Sequence, residues 1–181
     1  RLPTQVPYAF LLSGCLDSTI IACVARMPYP DMPMHTFCIG LKDGPDIRAA
    51  LEVAGHIHSN HNTINYTVKE GIDALSDVVQ CIETYDQTTV RASTPMYLLL
   101  KVIRRYGYKV VMSGEGADEV FAGYLYNHMC PSPSDLQQEC VDKLERLYHF
   151  DCLRANKCCL GNGVEARVPF LDNNVVDFAM R

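Results

Sequence analysis

Apolar and polar positions change period several times along the chain, and each change marks an element. Residues 8–12 (Tyr8, Ala9, Phe10, Leu11, Leu12) form an unbroken apolar run, which predicts a strand buried on both faces. Helical spacing follows over 18–25, and 27–33, with three prolines, reads as a surface loop. A second strand is expected at 34–41. Gly44, Pro45 and Asp46 put a proline near a helix start, and Ala50, Leu51, Ala54 and Ile57 carry that helix over 47–57. Residues 62–68 alternate as a third strand. Thr67 and Glu70 have capping-box spacing and open a helix through Ala74, Leu75, Val78, Val79 and Ile82. Another helix is expected to begin at Thr94 and Pro95 and to stop near Gly107. Residues 109–112 form a short fourth strand. Ser134 and Gln137 repeat the capping spacing before a helix toward His149, and 151–159 is helical in pattern. This alternation predicts one α/β domain with an open, mostly parallel sheet and helices on both faces.

Composition narrows the function. A chain of 181 residues with 48% hydrophobic content can bury roughly 70% of its unfolded surface without covalent staples. The net charge of −5 and the scattered basic residues give no field for a nucleic-acid backbone. Nine cysteines make an odd count in apolar or helical stretches, which reads as reduced thiols in a cytoplasmic protein. No apolar run approaches the ~20 residues of a membrane span, and 1–8 lacks the pattern of a signal peptide.

Two segments carry chemistry. The first strand runs directly into Ser13, Gly14, Cys15, Leu16, Asp17 and Ser18, a turn whose helix-opening N–H groups suit a polyphosphate. No Gly-Lys-Ser/Thr follows, so this is not a Walker A loop, and Asp17 instead offers a hard oxygen for Mg²⁺. The fourth strand ends in Ser113, Gly114, Glu115, Gly116, Ala117, Asp118 and Glu119. Ligands in open α/β sheets gather outside the carboxyl ends of strands, so both loops can face one nucleotide, with Asp17 and Asp118 sharing the metal and Glu115 free for substrate or proton work. Glu119 reads more simply as a helix-start residue. His56, His58 and His61 have near-metal spacing but no common face, and read as surface histidines.

These loops, together with Glu83 to Asp86, Thr88 to Ser93, Gly123 to Tyr126, Asp151 to Lys157 and Glu165 to Asp172, resemble the synthetase domain of glutamine-hydrolysing asparagine synthetases, within the PP-loop ATP pyrophosphatases. The resemblance implies an adenine nucleotide alpha hydrolase-like fold. It also implies ATP-dependent adenylation of the aspartate side-chain carboxylate, then amidation by ammonia to give asparagine, AMP and pyrophosphate. ATP and Mg²⁺ are the implied cofactors. On the matching positions, Ser13, Gly14, Asp17 and Ser18 bind phosphate, Leu11, Ile39, Ser113 and Gly114 hold adenosine, Asp17 and Asp118 bind metal, and Glu115 and Arg91 are catalytic. Tyr124 and Tyr126 pack near the substrate pocket, and Arg154 reads better as a structural ion pair.

The chain departs from the family at Cys15, where a glycine is usual. If that position needs a positive φ or presses against phosphate, a Cβ costs roughly 1–2 kcal/mol and obstructs the ligand. Ala117 replaces a serine and Asn127 an aromatic. The chain is read as a partial synthetase domain over 1–181, with a glutaminase domain expected in the full-length protein and a lysine-bearing segment downstream. A homodimer stays open, as do two rivals: a non-catalytic protein of the same fold and a β-lactam-forming relative.

Overall fold

The computed structural model describes residues 2–3 and 5–181; Arg1 and Thr4, within the segment read as lacking a signal pattern, lie outside the described residues. Five strands form one sheet in the order β3-β2-β1-β4-β5, with every pairing parallel. They are β1 (Tyr8–Leu11), β2 (His35–Leu41), β3 (Asn60–Tyr66), β4 (Val110–Met112) and β5 (Glu165–Arg167). The helices are α1 (Leu16–Arg26), α2 (Pro45–His56), α3 (Val68–Asp73), α4 (Leu75–Ile82), α5 (Gln87–Arg105), α6 (Ala117–Phe121), α7 (Pro133–Arg146), α8 (Asp151–Gly161) and α9 (Asn173–Ala179).

The unbroken apolar run of β1 is explained by two separate cores. Ala9, with Leu11 beside it, faces Val78, Leu100, Ile103 and Cys158 of α4, α5 and α8. Phe10 and Leu12 face Ala22 of α1 and Ala50 and Ala54 of α2. Successive side chains of a strand point to opposite faces, so a central strand covered on both sides must be apolar throughout. The expected architecture is therefore the observed one.

Several boundaries differ from the expectation. β3 lies two residues earlier, because its parallel register against β2 runs from His35 opposite Asn60 to Leu41 opposite Tyr66, and Thr67 is already a helix cap. The capping box at Thr67 and Glu70 forms as expected, yet the helix it opens divides at Ala74 into α3 and α4. α5 begins at Gln87 instead of Thr94. Asp86 caps it, its Oδ1 accepting the Thr89 N–H at 2.8 Å, and Pro95 sits inside the helix. α7 is capped by Ser132, which accepts the Asp135 N–H at 3.2 Å, with Pro133 in the first turn; Ser134 is not its cap. β5 and α9 were not expected as elements, while α6 is the helix that the reading of Glu119 as a helix-start residue implies. The 27–33 loop is fastened by Arg26, which donates to the carbonyls of Met32 at 2.6 Å and Pro30 at 3.0 Å.

Candidate active site

β1 and β4 are neighbours in the sheet, so the loops after them meet at its carboxyl edge. Contact is close: a Cβ on Gly114 would stand 3.0 Å from both the Asp17 Cβ and the Ser18 nitrogen. The first loop turns on Gly14, at φ +83°, where a Cβ would fall 2.5 Å from the Ala49 carbonyl carbon and Cβ and the Ala50 nitrogen of α2. Only glycine fits that combination of backbone angle and approach.

Cys15 does not carry the strain expected of it. Its φ of −68° and ψ of 164° are ordinary extended values, so the departure from glycine leaves the backbone unstrained. Its exposed side chain instead lies over the loop, at the rim of its hollow. The Sγ accepts from Ser13 Oγ at 2.9 Å and lies 3.4 Å from Ser18 Oγ. The buried Ser18 hydroxyl closes the loop, accepting the Ser13 N–H at 3.2 Å and donating to the Cys15 carbonyl at 3.3 Å. No side chain caps α1, which leaves its N-terminus to whatever anion enters the hollow.

In the second loop Ser113 is buried and its N–H bonds the Arg167 carbonyl at 2.9 Å, tying the loop to β5. Ser113 Oγ accepts the Glu115 N–H at 3.3 Å. Burial raises the pKa of Asp118, and the charge of Asp17 raises it further, followed by Glu119 and Asp151. A carboxylate whose charged form is opposed by burial and by neighbouring acids is a donor suited to a hard divalent cation. Leu11 and Ile39 stand on the same face of the sheet, packed against the α4, α5 and α8 core. Arg91, on the first half of α5, is exposed.

Beside the loops opens a cleft of about 740 Å³, lined among others by Thr88, Glu119, Tyr124, Lys143, Asp151 and Arg154. Glu119 is more than a helix-start residue: it is buried and accepts the Tyr124 hydroxyl, which raises the tyrosine pKa together with burial. The rings of Tyr124 and Tyr126 stack at 5.5 Å in the cleft wall. Arg154 joins the two regions, 3.0 Å from Glu115 and 2.9 Å from Asp151. Burial raises the Glu115 pKa against the opposing Arg154 charge. The Asp151 and Arg154 pair was legible as an i,i+3 spacing; the link to Glu115 had no sequence signal. His61 is not a surface histidine: its Nδ1 lies 2.8 Å from Thr36 Oγ1 and its Nε2 3.2 Å from Cys38 Sγ. Among the described residues no three His, Cys, Asp or Glu side chains form a metal-holding group. All nine cysteines are free thiols. No described helix is long and apolar enough to cross a membrane.

A doubly covered parallel sheet with two small-residue, carboxylate-bearing loops touching at its carboxyl edge defines an open α/β domain of the kind that gathers ligands at that edge. The family model of asparagine synthase matches residues 1–138 and 127–181, and the chain belongs to that family. It is 48% identical over 188 residues to a glutamine-hydrolysing asparagine synthetase of Lotus japonicus, covering 99% of this chain and 32% of that protein. Against asparagine synthetase B of Escherichia coli K12 the identity is 49% over 195 residues, covering 100% and 35%. The chain thus spans about a third of the length of the curated relatives it matches. Among solved structures, the NMN synthetase of Francisella tularensis aligns at a TM-score of 0.47 and 15% identity over 98% of this chain and 84% of that one.

Proposed function

We propose that this chain carries the synthetase chemistry of its family: ATP adenylates the side-chain carboxylate of aspartate, and ammonia then displaces AMP to give asparagine. The observation that carries the reading is the contact between the loops after β1 and β4 at the mouth of an uncapped helix, close enough that the Asp17 charge acts on Asp118. Ser13, Gly14 and Ser18 and the N-terminus of α1 would bind the pyrophosphate portion. Asp17 and Asp118 fit a Mg²⁺ ion, which when bound offsets phosphate charge. Leu11 and Ile39 would support the adenine, with the Ser113 and Gly114 backbone toward the ribose. Arg91 has no ion-pair partner among the described residues, so its planar guanidinium is free for the oxygens of the transferring phosphoryl group. Glu115 would accept a proton from attacking ammonia. In the full-length protein a glutaminase domain would supply that ammonia, in keeping with the glutamine-hydrolysing relatives. Nine unpaired thiols support a cytoplasmic setting.

The test is pyrophosphate release by this chain with Mg-ATP, aspartate and ammonium chloride. Release should require aspartate and disappear in Asp17→Ala. A folded chain that binds no Mg-ATP by calorimetry and releases no pyrophosphate would overturn the proposal.

A further inference from the structure

Arg154 is fixed on three sides. Its side chain is 11% exposed. Nε and Nη2 both reach Asp151 Oδ1, at 3.1 and 2.9 Å, and Nη1 stands 3.7 Å from Met96 Sδ on α5. A local structural role is satisfied by Asp151 alone, three residues back on α8. The remaining bond, Nη2 to Glu115 Oε1 at 3.0 Å, reaches 39 residues along the chain to the loop after β4. A buried pair of this kind is weak evidence of stability, since desolvation offsets much of the attraction. What it does secure is geometry, because a planar guanidinium held elsewhere allows the carboxylate one orientation.

We propose that Arg154 is a positioning residue for Glu115: anchored by Asp151 and Met96, it fixes Oε1 of that carboxylate and leaves Oε2 to take a proton. This rests on the reading of Glu115 given above. In the step it serves, the ammonia nitrogen bonds to the activated carboxyl carbon, the carbon–oxygen bond to AMP breaks with its electron pair on AMP, and one N–H proton passes to Glu115. Charged and titratable groups act on Glu115 from two elements: Arg154, Asp151, Cys152 and Cys159 of α8, and Glu119 of α6. Burial, Asp151 and Glu119 all favour its protonated form, and Arg154 opposes them. Without Arg154 the carboxylate takes up its proton at higher pH and ceases to be a base there.

The experiment follows Glu115 directly in the full chain labelled with ¹³C-glutamate, its signal assigned by loss in Glu115→Gln, alongside asparagine formation from ammonium chloride as a function of pH. In Arg154→Gln the Glu115 titration and the acid limb of the rate should move upward together, with the rate falling on the order of 10²-fold. Arg154→Lys retains the charge but not the fork; its titration should stay near the wild type while its rate is only partly recovered. An unchanged pH profile in folded Arg154→Gln overturns the proposal, as does a shifted titration without a shifted rate profile. Should Arg154→Gln not fold, a wild-type rate in Arg154→Lys overturns it equally. A wild type that makes no asparagine overturns the function reading itself, and the titration alone then decides whether Arg154 governs Glu115.

Discussion

Replacing Gly14 by alanine should be among the most damaging one-atom additions to this chain, and the size of the effect follows from two separable terms. An L-residue forced to φ +83° costs roughly 1–2 kcal/mol in backbone strain. The added Cβ would also stand 2.5 Å from three atoms of Ala49 and Ala50, two of them backbone, so α2 itself must shift. Overpacking of that sort costs about 1–3 kcal/mol. Together the terms give roughly 2–5 kcal/mol, or a fall in Tm of about 5–15 °C for a domain of this size. Two other glycines supply the controls. Gly107 has φ +89° with nothing near its Cβ position, so Gly107→Ala carries the backbone term alone, roughly 1–2 kcal/mol. Gly55 lies in α2 at no positive φ with nothing within 4 Å, so Gly55→Ala should stabilise by about 0.5–1 kcal/mol. Thermal and urea unfolding of the three variants measures the series. If Gly14→Ala loses no more than Gly107→Ala, the packing of the loop on α2 is not tight and the reasoning fails.

Cys15→Gly should tighten Mg-ATP binding by about tenfold in calorimetry, because the Ser13 and Ser18 hydroxyls lose their thiol neighbour and about one hydrogen bond is regained; equal affinity would show that the thiol does not occupy the anion hollow. Burial lowers the His61 pKa, so below the ordinary value of 6.5 the unfolded chain binds a proton that the folded chain refuses. Stability contributed there is present above that pH and lost as the pH falls toward the lower folded value. His61→Gln should therefore flatten the dependence of Tm on pH below about 6.5, and an unchanged slope would remove His61 as its source.

What the sequence made legible was whatever is local. The β1 run and the two glycine loops are contiguous signals, and sheet order then brings them together without further information. The start of α5 was misread because two local signals competed: Pro95 suits a first turn, but the Asp86 carboxylate offers a cap eight residues before Thr94, and the packing of Val90 against the core rewards the longer helix. β5 has no periodicity to detect in Glu165, Ala166 and Arg167; it is a strand because β4 supplies the register, Val110 opposite Glu165. The reach of Arg154 to Glu115 is invisible for the same reason, since only the tertiary fold brings α8 to the loop after β4.

Cys15 joins these two kinds of information. Its position suggested backbone strain, yet the strain belongs to Gly14, one residue earlier, and Cys15 is free to be any residue the hollow will accept. The loop therefore divides its duties. Gly14 and the Ser18 hydroxyl hold its shape against α2 and α1, while the side chain at position 15 decides what room an anion finds inside it. Substitution at 14 should act on stability first, and substitution at 15 on ligand affinity with little change in Tm. A chain in which both substitutions moved stability and affinity alike would mean that the loop takes its shape only with the ligand in place.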